Sequence, residues 1–197
     1  MFMTPQYQYL HDRLLSIAST FDKLINVDPL AQVNESDQNL IKSYILLCHA
    51  EFEKYFEDIA LAVIEDAKTK YDASGETSVA LLNLALILKK EFNNNETSED
   101  RLNKLYSNYH ALIEGNHGIR KNNINELLAP IGLPVNKLSE TYVAALENFG
   151  KKRGQIAHNV KEAIVSTYNY KNEKDGIARL EEETLFEIDT KVETYFS

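Results

Sequence analysis

The sequence predicts an all-α fold, a single-domain helical bundle over residues 1–197, and three observations indicate it. The chain carries only 7 glycines and 4 prolines among 197 residues, so few positions interrupt helices. Apolar residues recur at intervals of three and four through most of the length. Hydrophobic residues make up 44% and charged residues 26%, as in globular proteins with a sizeable core. No internal repeat or interdomain linker is visible.

The first half of the chain predicts three helices. Residues 5–26 place their apolar side chains on one face, and Asp28-Pro29 ends that helix. A long helix is expected from about Ser36 to about Tyr71, and its wide apolar stripe indicates a central position. After a turn, residues 79–92 predict a shorter and very apolar helix.

The second half predicts a further series of helices. The segment from Thr97 to Asp100 is typical of a helix cap, and the helix that follows is broken by glycines before a short helical turn at residues 122–128. Another helix continues from Leu138 to His158. Residues 169–176 are predicted to be a polar break before a last amphipathic helix.

Charge and cysteine content limit the classes of function. A formal net charge of -9 argues against broad, nonspecific coating of nucleic acid, although it permits a local basic cleft. The single cysteine, Cys48, lies in an apolar run and is expected to be a buried thiol. One cysteine forms no intramolecular disulfide, which fits a reducing cytoplasm. The longest apolar stretch is well short of the about 20 residues that a membrane helix needs, so no membrane association is expected.

The segment from Lys151 to Asn159 carries the residues best suited to chemistry. Arginine is a permanent cation with a planar donor fork that fits phosphate, and histidine exchanges protons near neutral pH. Arg153 and His158 therefore suit the binding of a phosphodiester and the movement of a hydroxyl proton. On an ideal helix they are about 140° apart and do not share a face well. Spacing alone leaves open that both are surface residues near a helix end.

The segment Arg153-Gly-Gln-Ile-Ala-His158-Asn159 resembles the C-terminal signature of HEPN domains, especially the RiboL-PSP-HEPN-like branch. The long helix over residues 46–57 and the short helix and turn over residues 122–132 are also similar to the segments that precede that signature. The resemblance extends over roughly residues 10–195. Two positions depart from the pattern: Gly154 replaces a polar residue, and Asn159 replaces glycine.

The resemblance implies a metal-independent endoribonuclease that works as a homodimer with both motifs at one cleft. It assigns catalysis to Arg153 and His158, which act on an RNA substrate through its 2′-hydroxyl. Lys151 and Lys152, with Lys161, are expected to attract the phosphate backbone. The role implied is that of a cytoplasmic toxin or phage-defence effector, with an antitoxin as a possible partner and no cofactor.

The resemblance implies a role in substrate binding for two further residues. Asn159 is expected to supply a polar contact in place of the usual glycine. His49 and Glu51 on the long helix point roughly opposite ways, so at most one faces the cleft. The resemblance favours Glu51, against the alternative of a solvated acidic face.

Two alternatives accompany this interpretation. The first alternative is a noncatalytic HEPN module for dimerisation or partner binding. Gly154 and the net charge of -9 both favour this alternative. The spacing of Glu114 and His117 is that of a di-iron motif, but such sites need two copies of the motif and further glutamates. The sequence therefore predicts no metal site.

Overall fold

Helices and their connections make up the described part of the chain. The computed structural model describes residues 3–26, 35–88, 95–158 and 167–195. Within these ranges no strand occurs, and the prediction of an all-α fold is confirmed. The α-helices are α1 (Pro5–Phe21), α2 (Glu35–Ser74), α3 (Val79–Ile87), α4 (Ser98–Gly115), α5 (Lys121–Leu128), α6 (Glu140–His158), α7 (Tyr170–Arg179) and α8 (Phe186–Glu193).

Helix α2 is the centre of the bundle, as its wide apolar stripe predicted. It packs against α1, α3, α4, α5, α6 and α7. Its side chains at Cys48, Phe52 and Phe56 are fully buried, because neighbours cover more than one of its faces. The prediction of a buried cysteine is confirmed, and burial raises the pKa of the Cys48 thiol to about 12.

The predicted cap at the start of α4 is present. The Thr97 hydroxyl accepts a hydrogen bond from the Asp100 amide at 3.1 Å, and the Asp100 carboxylate accepts one from the Thr97 amide at 3.0 Å. This reciprocal pair satisfies amide groups that have no partner inside the helix. The beginning of α4 is therefore determined by local sequence.

The prediction of a polar break over residues 169–176 is wrong, because these residues begin α7. Asn169 caps the helix by accepting from the Asn172 amide at 3.0 Å. Tyr170 is buried, with its ring 5.0 Å from that of Tyr44 and its hydroxyl donating to the Ala18 carbonyl at 2.9 Å. Tertiary contacts therefore stabilise a helix that polar composition alone did not indicate.

A buried carboxylate connects the two ends of the described chain. A π-helical turn, Leu180–Leu185, joins α7 to α8 without interruption. On α8, Asp189 is 1% exposed and accepts hydrogen bonds from the Thr4 amide at 2.9 Å, the Thr4 hydroxyl and the Tyr55 hydroxyl at 3.1 Å. The carboxylate thereby ties the start of α1 and the middle of α2 to α8.

Helix α3 is apolar on more than its buried side. Ala80, Leu81 and Leu84 are buried, whereas Leu82 and Leu86 are more than half exposed. Among the described helices, none offers the length of apolar sequence that a bilayer crossing requires.

Candidate active-site cleft

A cleft of about 380 Å³ lies where α6 meets α2 and the connection between α4 and α5. Helix α2 contributes one residue, α6 contributes the first part of the Arg153 motif, and the connection with the first turn of α5 closes the opposite side. The lining residues are His49, His117, Gly118, Ile119, Arg120, Asn123, Gly150, Lys151, Arg153, Gly154 and Gln155.

Arg153 enters this cleft without an acidic partner in the described part of the chain. Its side chain is partly buried. None of the hydrogen bonds or ion pairs found among the described residues engages its guanidinium group, in contrast to Arg13 and Arg120, which each bind a glutamate. An arginine in a cleft with donors still available is suited to bind an external anion such as phosphate.

His49 lies beside Arg153 in the cleft. Its side chain is 2% exposed, and its ring centroid is 5.7 Å from that of Phe149 on α6. Burial and, as the smaller cause, the positive charge of Arg153 together lower the pKa of His49 to about 4. The imidazole is therefore neutral at pH 7, and Arg153 is the charged member of the pair.

The structure places Glu51 away from the cleft. Its carboxylate accepts hydrogen bonds from the Arg13 guanidinium on α1 at 2.8 and 3.0 Å. On α2, His49 therefore lines the cleft and Glu51 does not. The apolar pattern carried the signal for His49, since it falls four residues after Ile45 and three before Phe52 on the buried face.

Two cations of the cleft share one carboxylate. Glu147 accepts hydrogen bonds from the Lys121 amide at 3.0 Å and from the Arg120 guanidinium at 2.9 and 3.0 Å, and Lys151 lies 3.3 Å away. These partners, the Lys121 amide first and Arg120 next, lower the pKa of Glu147 to about 2. The charges of Arg120 and Lys151 are thus partly compensated.

Lys152 points to the other side of α6. Its ammonium group donates to both carboxylate oxygens of Glu173 on α7, at 2.7 and 2.9 Å. Both residues line a separate and larger cavity of about 490 Å³ between α6 and α7. The lysine there is already paired with a carboxylate, whereas Arg153 in the smaller cleft has no such partner among the described residues.

The two glycines of this part of α6 have different surroundings. A Cβ atom at Gly150 would lie 2.7 Å from Cγ of Arg120, so glycine permits the close approach of α6 to the α4–α5 connection. A Cβ atom at Gly154 would meet no heavy atom within 4 Å. The space that the usual polar residue of the signature would occupy is therefore open.

The remaining predicted residues lie at or beyond the last described residue of α6. The helix ends at His158, whose side chain is outside what the structure describes. Asn159 and Lys161 also lie outside the described residues. On an ideal α-helix, two positions that are five residues apart are about 140° apart around the helix axis.

Comparison with known proteins decides the family. The RiboL-PSP-HEPN family matches residues 9–183. The chain belongs to the RiboL-PSP-HEPN family. The match to this HEPN family contains all residues that line the cleft, and it indicates a nuclease or another RNA-related module. No curated protein and no solved structure gives a match.

Several residues of the HEPN cleft were not assigned to it from the sequence. Arg120 and Asn123 precede Arg153 by about thirty residues: Arg120 directly precedes α5, and Asn123 lies in the first turn of that helix. His117 lines the same side, and its ring also approaches Glu53 and Glu57 of α2. The sequence signal in this region was the pair of glycines at 115 and 118. These glycines predict a break after a helix, but they do not predict that the segment after the break lies against α6.

Proposed function

We propose that this HEPN protein is a metal-independent endoribonuclease that cuts RNA with Arg153 and His158. The observation that carries the proposal is the Arg153 guanidinium, which is partly buried in a cleft and has no carboxylate partner among the described residues. The anion that best fits such a group is the phosphodiester of the substrate. Membership in the family supports RNA as the polymer.

The proposed chemistry uses the substrate's own 2′-hydroxyl. Neutral His158 accepts the proton of that hydroxyl, and the 2′-oxygen forms a bond to phosphorus. Arg153 stabilises the negative charge on the phosphorane oxygens. The bond from phosphorus to the 5′-oxygen then breaks, and an imidazolium returns a proton to this oxygen. The products are a 2′,3′-cyclic phosphate and a 5′-hydroxyl, and DNA is spared because it lacks the 2′-oxygen.

The proposed enzyme is a homodimer. On an ideal helix, positions 153 and 158 are about 140° apart, so one helix is not expected to direct both side chains to one phosphate. Two copies arranged about a twofold axis bring Arg153 of one chain near His158 of the other. In this arrangement Lys151 adds positive charge at the cleft, whereas Lys152 supports α7 through Glu173.

The proposed biological role is that of a cytoplasmic toxin or phage-defence effector held in check by an antitoxin partner. This role rests on analogy with the family. Expression of the wild type is expected to arrest the host cell, and His158→Ala is expected to relieve the arrest. Equal growth with both proteins at equal expression would contradict the role without deciding the chemistry.

The experiment that tests the activity is RNA cleavage in EDTA. Purified wild type, Arg153→Ala and His158→Ala are incubated with total RNA and with transfer RNA, and the product ends are analysed. We expect the wild type alone to leave cyclic phosphate ends. Arg179→Ala serves as the matched control, because Arg179 is exposed on α7 at the other cavity. Full activity of Arg153→Ala or His158→Ala would overturn the assignment.

The second candidate function is a noncatalytic HEPN module for dimerisation or partner binding. Glu147 favours it, because this carboxylate occupies donors of Arg120 and Lys151 that a phosphate would otherwise use. The net charge of -9 and Gly154 favour it as well. A folded dimer that cleaves neither RNA under any of these conditions would support this candidate.

A further inference from the structure

Three potential metal ligands meet at the edge of the cleft. Glu53 and Glu57 lie one turn apart on α2, and His117 approaches them from the connection between α4 and α5. One ligand atom from each residue lies within 4.8 Å of the others. Both glutamates are partly buried, and the histidine is exposed. The group therefore joins two segments that are sixty residues apart in sequence.

We propose that Glu53, Glu57 and His117 form a binding site for a divalent transition-metal cation, with Zn²⁺ as the best fit. Carboxylate oxygen and imidazole nitrogen are both common ligands of zinc, at bond lengths of about 2.0–2.2 Å. A tetrahedral ion separates its ligand atoms by about 3.4 Å. Rotation of the exposed His117 ring and of the two glutamate side chains would shorten the distances between the ligand atoms from those observed to those around a bound ion.

The two carboxylates are poorly compensated without a cation. Like charges one turn apart on a helix repel each other. Lys54 acts on Glu57, but its ammonium group is hydrogen-bonded to Asp58 at 2.9 Å. The side chain nearest Glu53 in the described ion pairs is His49, whose Nδ1 lies 3.7 Å away. A bound dication neutralises both glutamates and also engages the histidine, which a monovalent cation does poorly.

The proposed ion has a structural consequence at the cleft. His117 directly precedes Gly118, Ile119 and Arg120, which line the cleft opposite α6. A metal bond to His117 therefore fixes this wall of the cleft to α2. The ion is held by residues other than Arg153 and His158, and the proposal does not depend on RNA cleavage.

The test is zinc binding by protein that carries no polyhistidine tag. Isothermal titration with Zn²⁺ is expected to give one site, and Zn²⁺ is expected to raise the Tm because it binds the folded state alone. Glu53→Gln, Glu57→Gln and His117→Ala are each expected to reduce affinity by at least about tenfold and to remove most of the shift in Tm. Mg²⁺, which prefers oxygen ligands, is expected to leave the Tm unchanged.

Glu114→Gln is the matched control. Glu114 is exposed and precedes His117 by three residues, so it tests whether the di-iron-like spacing of the sequence matters. We expect its zinc affinity to equal that of the wild type. Absence of zinc binding by the wild type, or equal binding by His117→Ala, would overturn the proposal. Each variant is first shown to be folded by its helical circular dichroism.

Discussion

His49 and Arg153 line the same cleft from two different helices, and the charge of Arg153 adds to burial in keeping the imidazole of His49 neutral. The pair therefore presents one permanent cation and one uncharged ring. Since His49 is also packed near Phe149, its position depends on the contact between α2 and α6. The placement of Arg153 depends on that same contact.

Replacing His49 by alanine is expected to destabilise the fold. The substitution removes a buried side chain that packs beside Phe149, and we expect the free energy of unfolding to fall by about 2–3 kcal/mol. Urea denaturation followed by circular dichroism measures the change. Gln155→Ala, an exposed position of the same cleft, is expected to stay within about 0.5 kcal/mol of the wild type. Equal stability of both variants would contradict the packing role.

Alanine at the two glycines of α6 is expected to act in opposite directions. Gly154→Ala places a methyl group in open space and is expected to raise the free energy of unfolding by about 0.5–1 kcal/mol. Gly150→Ala forces Arg120 to move and is expected to lower stability despite the better helix propensity. Thermal unfolding of both proteins checks the signs. Stabilisation by both would show that α6 and Arg120 do not approach as closely as described.

Replacing Glu147 by glutamine is expected to tighten RNA binding. The change releases Arg120 and Lys151 for phosphate, so we expect affinity to rise about threefold to tenfold at low salt and less at high salt. Fluorescence anisotropy with labelled RNA in a His158→Ala background measures binding without cleavage. Glu140→Gln removes an equal charge from an exposed position of the same helix. An equal gain in RNA affinity from Glu147→Gln and Glu140→Gln would show that net charge, and not the release of Arg120 and Lys151, causes the effect.

Glu147 is also expected to make stability depend on pH. Its pKa in the folded protein is about 2, below its ordinary value of 4.5. A carboxyl group with a lowered pKa contributes stability that is complete above pH 4.5 and is lost as the pH falls toward 2. The difference in unfolding free energy between wild type and Glu147→Gln should therefore be largest at pH 7 and close to zero near pH 2. Denaturation at both values tests this, and a constant difference would refute it.

Much of the fold followed from local sequence signals. The apolar stripe of α2 and the capping residues Thr97 and Asp100 placed those helices correctly, because both signals arise within a few turns. The sequence did not predict the helix that begins at Tyr170, because Tyr170 and Lys174 bind partners on or near α1. Contacts of that sequence separation leave no periodic trace.

The candidate site was predictable only where it is contiguous in sequence. The motif around Arg153 was visible directly, whereas Arg120 and His117 come to it from another part of the chain. Lys151 and Lys152 are adjacent in sequence, but Lys151 lines the cleft near Glu147 and Lys152 binds Glu173 on α7. The sequence alone does not distinguish the two lysines. Glu51 and His49 are also close in sequence but have different surroundings. Glu51 binds Arg13 on α1, whereas His49 packs against Phe149 on α6.

The link between Thr4 and Asp189 has a consequence for synthesis of the protein. These residues are 185 positions apart, so α1 leaves the ribosome long before its partner carboxylate exists. Contacts of such sequence separation form late in folding. Because α7 and α8 supply partners for α1 and α2, the bundle completes its packing only after α8 has emerged. The nascent chain is thus expected to hold α1 and α2 in an unfinished core until α7 and α8 have been synthesised.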